Sequence, residues 1–468
     1  MQVQSMFFKK RAAEKLGDEL LQANMRKAKG KFVDGRAKAV AEFGVWEEVR
    51  AHAAKVRDRA LANLDAYLVE FEANATRRGA VVHWAETAEE ACAIVAGIAR
   101  DNGVRKAAKS KSMVSEEVNL NEALEAAGVE VIETDLGEYI LQLAHEPPSH
   151  IVAPAVHKSK EQVAELFVKA HGKPRLAEIP AMTREAREAL RGHFLSADMG
   201  ISGSNFVIAE TGTTLTVTNE GNADMVTTLP RIHVVITGIE KVIGTLEDFA
   251  TLIRLLPRSA IGQTVTNYLT LTTGLKMPDE ADGPEQMHIV LVDAGRTKLL
   301  GGPMQEMLRC IRCGACMNHC PVYHSVGGHA YGWVYPGPMG SVLTPGLVGV
   351  DKAGHLPNAS TFCGRCESVC PMRIPLPKMM RHWREREFER HLNPAVARWG
   401  LGLWAFFARR PWLYRMATGM AASLLGAFGR REGRFASLPL AGGWTKHRDF
   451  PAPEGKTFHQ LWREKRAH

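Results

Sequence analysis

At 468 residues the chain is too long for one hydrophobic core and reads as two or three domains of roughly 100 to 200 residues each. A hydrophobic content of 45% with 24% charged residues is that of a folded globular protein and excludes a disordered or low-complexity chain. The net charge of +8 belongs to the tail, because residues 381–468 hold 17 Lys and Arg against 7 Asp and Glu.

The opening residues place aromatics before the basic cluster Lys9-Lys10-Arg11, with no apolar segment behind it, which is not a signal peptide. No window reaches the ~18 uninterrupted apolar residues of a spanning helix. Residues 12–72 are rich in Ala, Leu, Glu, Lys and Arg at helical spacing and are predicted to be helix, broken at Lys29-Gly30-Lys31 and Asp34-Gly35. Their basic residues alternate with acidic ones, so a solvated helical face is expected and no nucleic-acid partner. From about residue 75, strands at 80–84, 129–133 and 151–154 alternate with helices at 87–101, 116–127 and 159–172. Thr87 and Glu90 form a capping box at the first of these helices. Strands and helices in this order build a mainly parallel sheet covered on both faces. A helix at 183–195 leads into a denser β region, with strands at 205–210, 213–218, 233–237, 241–243, 267–272 and 288–293 and a helix at 246–256. No G-x-G-x-x-G follows a strand and no P-loop is present, so a bound nicotinamide or flavin dinucleotide is not expected.

Seven of the eight cysteines lie between residues 310 and 370; Cys92 stands apart as a structural thiol. Cys310-x2-Cys313-x2-Cys316-x3-Cys320-Pro321 is the run that wraps an iron-sulfur cluster, and Cys363-x2-Cys366-x3-Cys370-Pro371 repeats its second half. Three thiolates at i, i+3 and i+6 converge on one cubane while the cysteine before the proline serves another. Two 4Fe-4S-type clusters with crossed ligation follow: Cys310, Cys313, Cys316 and Cys370 for the first, Cys320, Cys363 and Cys366 for the second. The second set is one thiolate short, since Ser360 stands where its fourth cysteine belongs. Either that cluster is 4Fe-4S with a non-cysteine ligand (Ser360, a histidine such as His319 or His324, or water), or it is 3Fe-4S. Structural zinc, closed by four ligands in one tetrahedron, fits this arrangement poorly. Free cysteines used for metal binding place the protein in a reducing cytoplasm. Arg309, Arg312 and Arg365 flank the ligands, where positive charge favours the reduced cluster. The stretch between Cys320 and Cys363 is rich in Gly and Pro and is predicted to be a loop with short helical pieces.

A helix at 378–391 precedes a segment carrying Trp399, Trp404, Trp412, Trp444 and Trp462 among arginines. Such a segment docks on an anionic membrane surface or a partner protein, or else caps the chain's own domains.

Lys109-Ser110-Lys111-Ser112-Met113, Gly203-Ser204-Asn205-Phe206, Ala209-Glu210-Thr211-Gly212-Thr213, Thr218-Asn219-Glu220-Gly221-Asn222 and Gly238-Ile239-Glu240-Lys241 resemble the lactate utilisation domain. With the cluster motifs and the basic aromatic tail behind them, the chain resembles the iron-sulfur family of bacterial lactate utilisation. The resemblance implies an α/β domain of the isomerase and CoA-transferase-like class. Covering roughly residues 70–460, and joined to the helical reading of the N-terminus, it divides the chain into an N-terminal helical segment at 1–72, the lactate utilisation domain at 73–300, an α-helical dicluster ferredoxin-like domain at 301–380 and a mostly helical tail at 381–468. It also implies electron transfer within a three-protein system that oxidises L-lactate to pyruvate, with other lactate utilisation subunits and redox proteins as partners. In the CoA-transferase-like class a glutamate at a strand end acts as nucleophile, so Glu210 with Lys109 and Lys111 forms a candidate anion site. The alternatives are a subunit for another 2-hydroxy acid, and an anion-binding or transferase-like module whose clusters are structural.

Overall fold

The computed structural model describes residues 2–439, 441–445 and 448–466. The chain divides into two compact units, 1–387 and 388–468. In the first, strands β1 (Val81–Ala85), β2 (Lys106–Lys109), β3 (Glu130–Glu133), β4 (Met199–Gly203), β7 (Ile232–Gly238) and β10 (Gln286–Val292) form one sheet. Its order is β1-β10-β7-β4-β2-β3, and every pair in it is parallel. A parallel strand covered on both faces reads as a mostly apolar run, and all seven residues of β7 are buried. A smaller sheet of order β8-β5-β6-β9 joins β5 (Phe206–Ile208), β6 (Thr213–Thr218), β8 (Val242–Ile243) and β9 (Tyr268–Thr272), with β6 antiparallel to both neighbours.

Several expectations are corrected by the fold. Residues 151–154 are not a strand. Pro154 O accepts from both the backbone N–H (3.1 Å) and Oγ (3.0 Å) of Ser149, and His150 Nδ1 accepts the N–H groups of Val152 (3.0 Å) and Ala153 (2.9 Å), closing a tight loop. The expected helix at 116–127 is two helices, Met113–Val118 and Leu120–Ala126, parted at Asn119 with φ 60°. Strands β2 and β4 leave no mark in the sequence because Lys106-Ala107-Ala108-Lys109 and Met199-Gly200-Ile201-Ser202-Gly203 carry little β propensity. Packing imposes them: a Cβ on Gly200 would lie 1.9 Å from Val226 O, so the helix Asn222–Thr228 approaches the sheet only over glycine.

The N-terminal residues form helices α1 (Phe8–Leu16), α2 (Glu19–Lys29), α3 (Gly35–Glu42), α4 (Trp46–Ala62) and α5 (Leu64–Arg77). The expected breaks at Lys29-Gly30-Lys31 and Asp34-Gly35 are absent; Gly30–Asp34 continues as one π-helical turn. Helical register slips there by a residue instead of stopping. Leu21, Met25, Trp46, Ala53 and Val56 share one core with residues of the cysteine region. Between Cys320 and Cys363 the expected loop contains the 12-residue helix Gly337–Val348, nine of whose residues are buried.

The strand ends and the cysteine loop meet in a buried ion chain. Arg296, after β10, places Nη1 and Nη2 each 2.8 Å from the two carboxylate oxygens of Glu117, and its Nε lies 2.6 Å from Glu240, after β7. Arg312 Nη2 reaches the other Glu240 oxygen at 3.2 Å, and Tyr335 donates its hydroxyl to Glu117 at 2.5 Å. Burial alone would raise the Glu240 pKa; Arg296, Lys241 and Arg312 hold it down at about 2. A Cβ on Gly238 would fall 2.0 Å from Glu240 Oε2, so this turn too admits only glycine.

In the second unit, helices Ala395–Ala408 and Pro411–Gly429 precede a two-stranded ribbon of Arg434–Phe435 with Phe450–Pro451 and a final helix, Phe458–Arg466. Among the described residues no helix is long and apolar enough to cross a membrane.

Removing Arg296 strands two carboxylates away from water. Arg296→Met is expected to lower the unfolding free energy by ~3–5 kcal/mol, read from urea midpoints in anaerobic buffer. A loss below ~1 kcal/mol, the scale of an exposed pair, would show that the ion chain does not hold the two parts together.

Candidate metal centre

The cysteine loops bring the thiols into two adjoining groups. Cys310, Cys313, Cys316 and Cys370 line one cavity, walled by apolar side chains that include Ile151, Met307 and Met339. Cys320, Cys363 and Cys366 form the other: burial, then the charges of Cys320 and Cys363, push the Cys366 thiol up to about 12. Burial and the neighbouring thiols likewise raise Cys313 and Cys316, and Cys316 feels Cys366 across the two groups. Backbone N–H groups point at the sulfurs: Ala315 at Cys313, Tyr323 and Val322 at Cys320, Glu367 at Cys366, and Ile374 and Met372 at Cys370. Cys363 is exposed, and the Arg365 N–H lowers its pKa. A soft-donor set of this kind, with amides aimed at sulfur, fits iron-sulfur clusters, whose potentials depend on such hydrogen bonds. Thiols held neutral by burial give up their protons to the metal on binding.

The two loops repeat one backbone. Arg312 and Phe362 both have positive φ (58° and 54°), and each is followed two residues on by a left-handed glycine, Gly314 at 75° and Gly364 at 77°. Four-residue helices, Ala315–Asn318 and Arg365–Ser368, come next. In the first loop Arg312 N–H donates to Cys310 Sγ at 3.4 Å; in the second Phe362 N–H donates to Ser360 Oγ at 3.1 Å. Ser360 therefore holds in its loop the place of Cys310. Each rival histidine has one ring nitrogen engaged with backbone, His319 Nδ1 with Ala315 O at 2.8 Å and His324 Nε2 with Asn318 O at 2.6 Å.

The arginines of the N-terminal helices overturn the expectation of a wholly solvated face. Arg36, Arg50 and Arg57 are buried. Arg36 donates to Val369 O (2.8 Å), Arg50 to Cys370 O (2.7 Å) and Glu367 O (3.0 Å), and Arg57 to Leu308 O (3.0 Å), Val242 O (2.8 Å) and Glu240 O. They fasten the cysteine loops by their carbonyls and place positive charge near the thiols. Arg312 also faces Cys310, whereas Arg309 is taken up by Asp58 (2.5 Å) and Glu306 (3.0 Å). Lys241 is buried behind Cys310; burial, then Arg312, brings its pKa down to about 7.

Glu210, Lys109 and Lys111 are not brought together. Glu210 is exposed, its carboxylate accepting the Leu246 N–H at 3.1 Å in a surface recess with Asn74 and Arg77. Lys109 is fully buried, paired with Glu133 (2.6 Å) and Glu116 (3.0 Å). Lys111, paired with Asp135 at 3.2 Å, lines a separate cavity of about 760 Å³ whose walls include Arg312 and Cys313. Cys92 donates to Val118 O at 3.1 Å and is pushed up to about 11 by burial, an unreactive thiol.

A parallel α/β domain whose strand ends abut two cysteine groups of cluster type defines an iron-sulfur protein with a 4Fe-4S dicluster domain and a helical C-terminus. The LUD domain family matches residues 68–292, the 4Fe-4S dicluster domain residues 306–374, and the family described as lactate utilisation protein B, C-terminal, residues 365–467. Lactate utilization protein B of Lysinibacillus sphaericus is 45% identical over 98% of this chain and 97% of its own length. Its namesake in Macrococcus caseolyticus is 44% identical over 100% and 98%, and that of Bacillus licheniformis 42% over 100% and 98%. The chain belongs to the lactate utilisation protein B family. A DUF162 family protein from Deinococcus radiodurans aligns with 49% of this chain and 98% of its own at 15% identity and a TM-score of 0.28, and lends nothing to the fold.

Proposed function

We propose that this chain is the iron-sulfur electron-transfer subunit of a cytoplasmic system that oxidises L-lactate to pyruvate, working with other lactate utilisation subunits and redox proteins. The observation that carries the reading is the pair of adjoining thiol groups, one against a cavity at the sheet edge and the other reaching the surface through Cys363. Oxidising the acid releases two electrons and two protons. Each cluster takes one electron, so two in series make a conduit from the interior to a docked acceptor. Cys310, Cys313, Cys316 and Cys370 hold the first cluster, and Cys320, Cys363 and Cys366 the second. In the same reading residues 73–300 form an isomerase/CoA-transferase-like domain and residues 301–380 a ferredoxin-like one. Another 2-hydroxy acid would use the same route. A transferase centred on Glu210 finds no lysine beside it.

In anaerobic mixtures with the partner subunits, L-lactate is expected to reduce both clusters, followed by electron paramagnetic resonance. Cys370→Ser should abolish the first cluster's signal and spare the second. Clusters that stay oxidised with lactate and partners would end the reading; loss of only the second signal would end the crossed ligation.

Ser360 Oγ is the fourth ligand of the second cluster in this scheme, a harder and weaker donor than thiolate. That cluster should lose one iron under mild oxidation to give a 3Fe-4S signal, and Ser360→Cys should suppress the conversion. A variant that converts as readily as the parent would remove Ser360 from the coordination sphere.

The tail serves as a docking surface. No residue of the apolar helix Ala395–Ala408 is buried, and Trp399 and Phe428 are each 79% exposed beside arginines. Co-sedimentation with anionic vesicles at low salt, released by high salt, is expected for peripheral membrane contact. Protein that remains in the supernatant would assign the surface to a partner protein instead.

A further inference from the structure

The cavity beside the first thiol group is built for a ligand that the cluster assignment leaves out. It opens where the carboxyl ends of β2, β4 and β7 converge, the crevice in which open α/β sheets bind their ligands. Its volume of about 760 Å³ lies in the range of small-molecule sites. Four cations, Lys31, Lys111, Lys241 and Arg312, line it against two carboxylates, Asp135 and Glu220. Three of the cations are accounted for or peripheral: Lys111 is paired with Asp135, Arg312 with Glu240, and Lys31 stands at the exposed rim.

Lys241 differs. It is 6% exposed, and among the described residues its ammonium makes no hydrogen bond and no ion pair. It feels the charges of Glu240 and Cys310 but touches neither carboxylate nor carbonyl, so its donors on the cavity wall are left for a ligand. Three polar atoms on the same walls are buried and unpartnered: Ser110 Oγ, Asn222 Oδ1 and Gln263 Oε1. The walls thus offer a cation and a hydroxyl donor for an anionic oxygen, and two amide oxygens for a hydroxyl group. A 2-hydroxy acid presents that combination of carboxylate and alcohol; a simple inorganic anion presents only the first half.

We infer that this cavity binds a small 2-hydroxy or 2-oxo carboxylate, its carboxylate on Lys241 and Ser110, at the Arg312 and Cys313 wall beside the first cluster. The inference rests on the electron-transfer reading for the identity of the acid. Lys241 and Ser110 act here as binding residues; the cavity is wider than a three-carbon acid, so these contacts rather than shape set the affinity.

The test is calorimetric titration of the anaerobic, cluster-loaded full chain, without partner proteins, using L-lactate and pyruvate, with sulfate as control. Either acid should bind and sulfate should not compete at equal concentration. Lys241→Met should weaken binding roughly tenfold or more, the loss of one charge-assisted hydrogen bond. Ser110→Ala should weaken it severalfold; because Ser110 Oγ bonds nothing in the protein, that variant costs the fold no hydrogen bond and decides the matter if Lys241→Met loses its clusters. The inference is overturned if neither acid binds, if sulfate binds equally well, or if Ser110→Ala binds as the parent does. Failure here with lactate-dependent cluster reduction intact would move the acid's site to a partner subunit; binding without such reduction would keep the site and end the electron-transfer reading.

Discussion

The junction between the α/β domain and the cysteine loops depends on one buried chain of alternating charges, Glu117–Arg296–Glu240–Arg312. Each member comes from a different place: the helix after β2, the turn after β10, the turn after β7, and the first cysteine loop. Burying four ions with little net charge gains little over an apolar interface of the same size, but it is intolerant of misplacement. A one-residue slip of any strand would leave an unpaired charge in a dry interior. The chain therefore fixes the register of the sheet edge and the position of the first cysteine loop with the same contacts.

The N-terminal helices complete that arrangement from the other side. Their buried arginines need acceptors, and their guanidinium groups find them in the carbonyls of Leu308, Glu367, Val369 and Cys370, while Arg36 Nε and Arg57 Nε have none. Loops that wrap metal have few internal backbone hydrogen bonds, so their carbonyls are free to take donors from outside. The guanidinium groups thus answer two needs at once, closing the hydrogen bonding of irregular backbone and balancing anionic sulfur.

What could be read from the residues was what acts over short stretches. Cysteine spacing, the Cys-Pro steps and the apolar runs of β7 and β10 are local, and the two motifs, the parallel sheet and the vacancy at Ser360 were legible from them. What depended on distant partners was not. Lys106-Ala107-Ala108-Lys109 is a poor strand until Glu133 and Glu116 neutralise Lys109 from neighbouring elements. Glu210 reads as a strand-end carboxylate aimed at a site, yet it lines a surface recess that Lys111 does not share. Arg50 and Arg57 did leave a trace, since they fall on the same helical stripe as buried Ala53, Ala54, Ala60 and Leu61. Charges on an apolar stripe mark a buried partner, whereas alternation with acids along the whole segment suggested water. Lys241 gave no sign of its place on the cavity wall, because the lack of a hydrogen-bond partner is a property of the folded surroundings alone.

The interleaving of the two cysteine loops also bears on how the protein is made. The first thiol group is complete only when Cys370 is in place, and the helix Gly337–Val348 lies between the loops in sequence. A nascent chain emerging from the ribosome would expose Cys310, Cys313 and Cys316 for as long as it takes to synthesise and release everything up to Pro371. Three converging thiols without their fourth are open to oxidation and to stray metal. Vectorial synthesis thus sets a window of vulnerability that ends when the last loop closes, and metal delivery that waits for that closure would avoid filling a site still lacking its final wall.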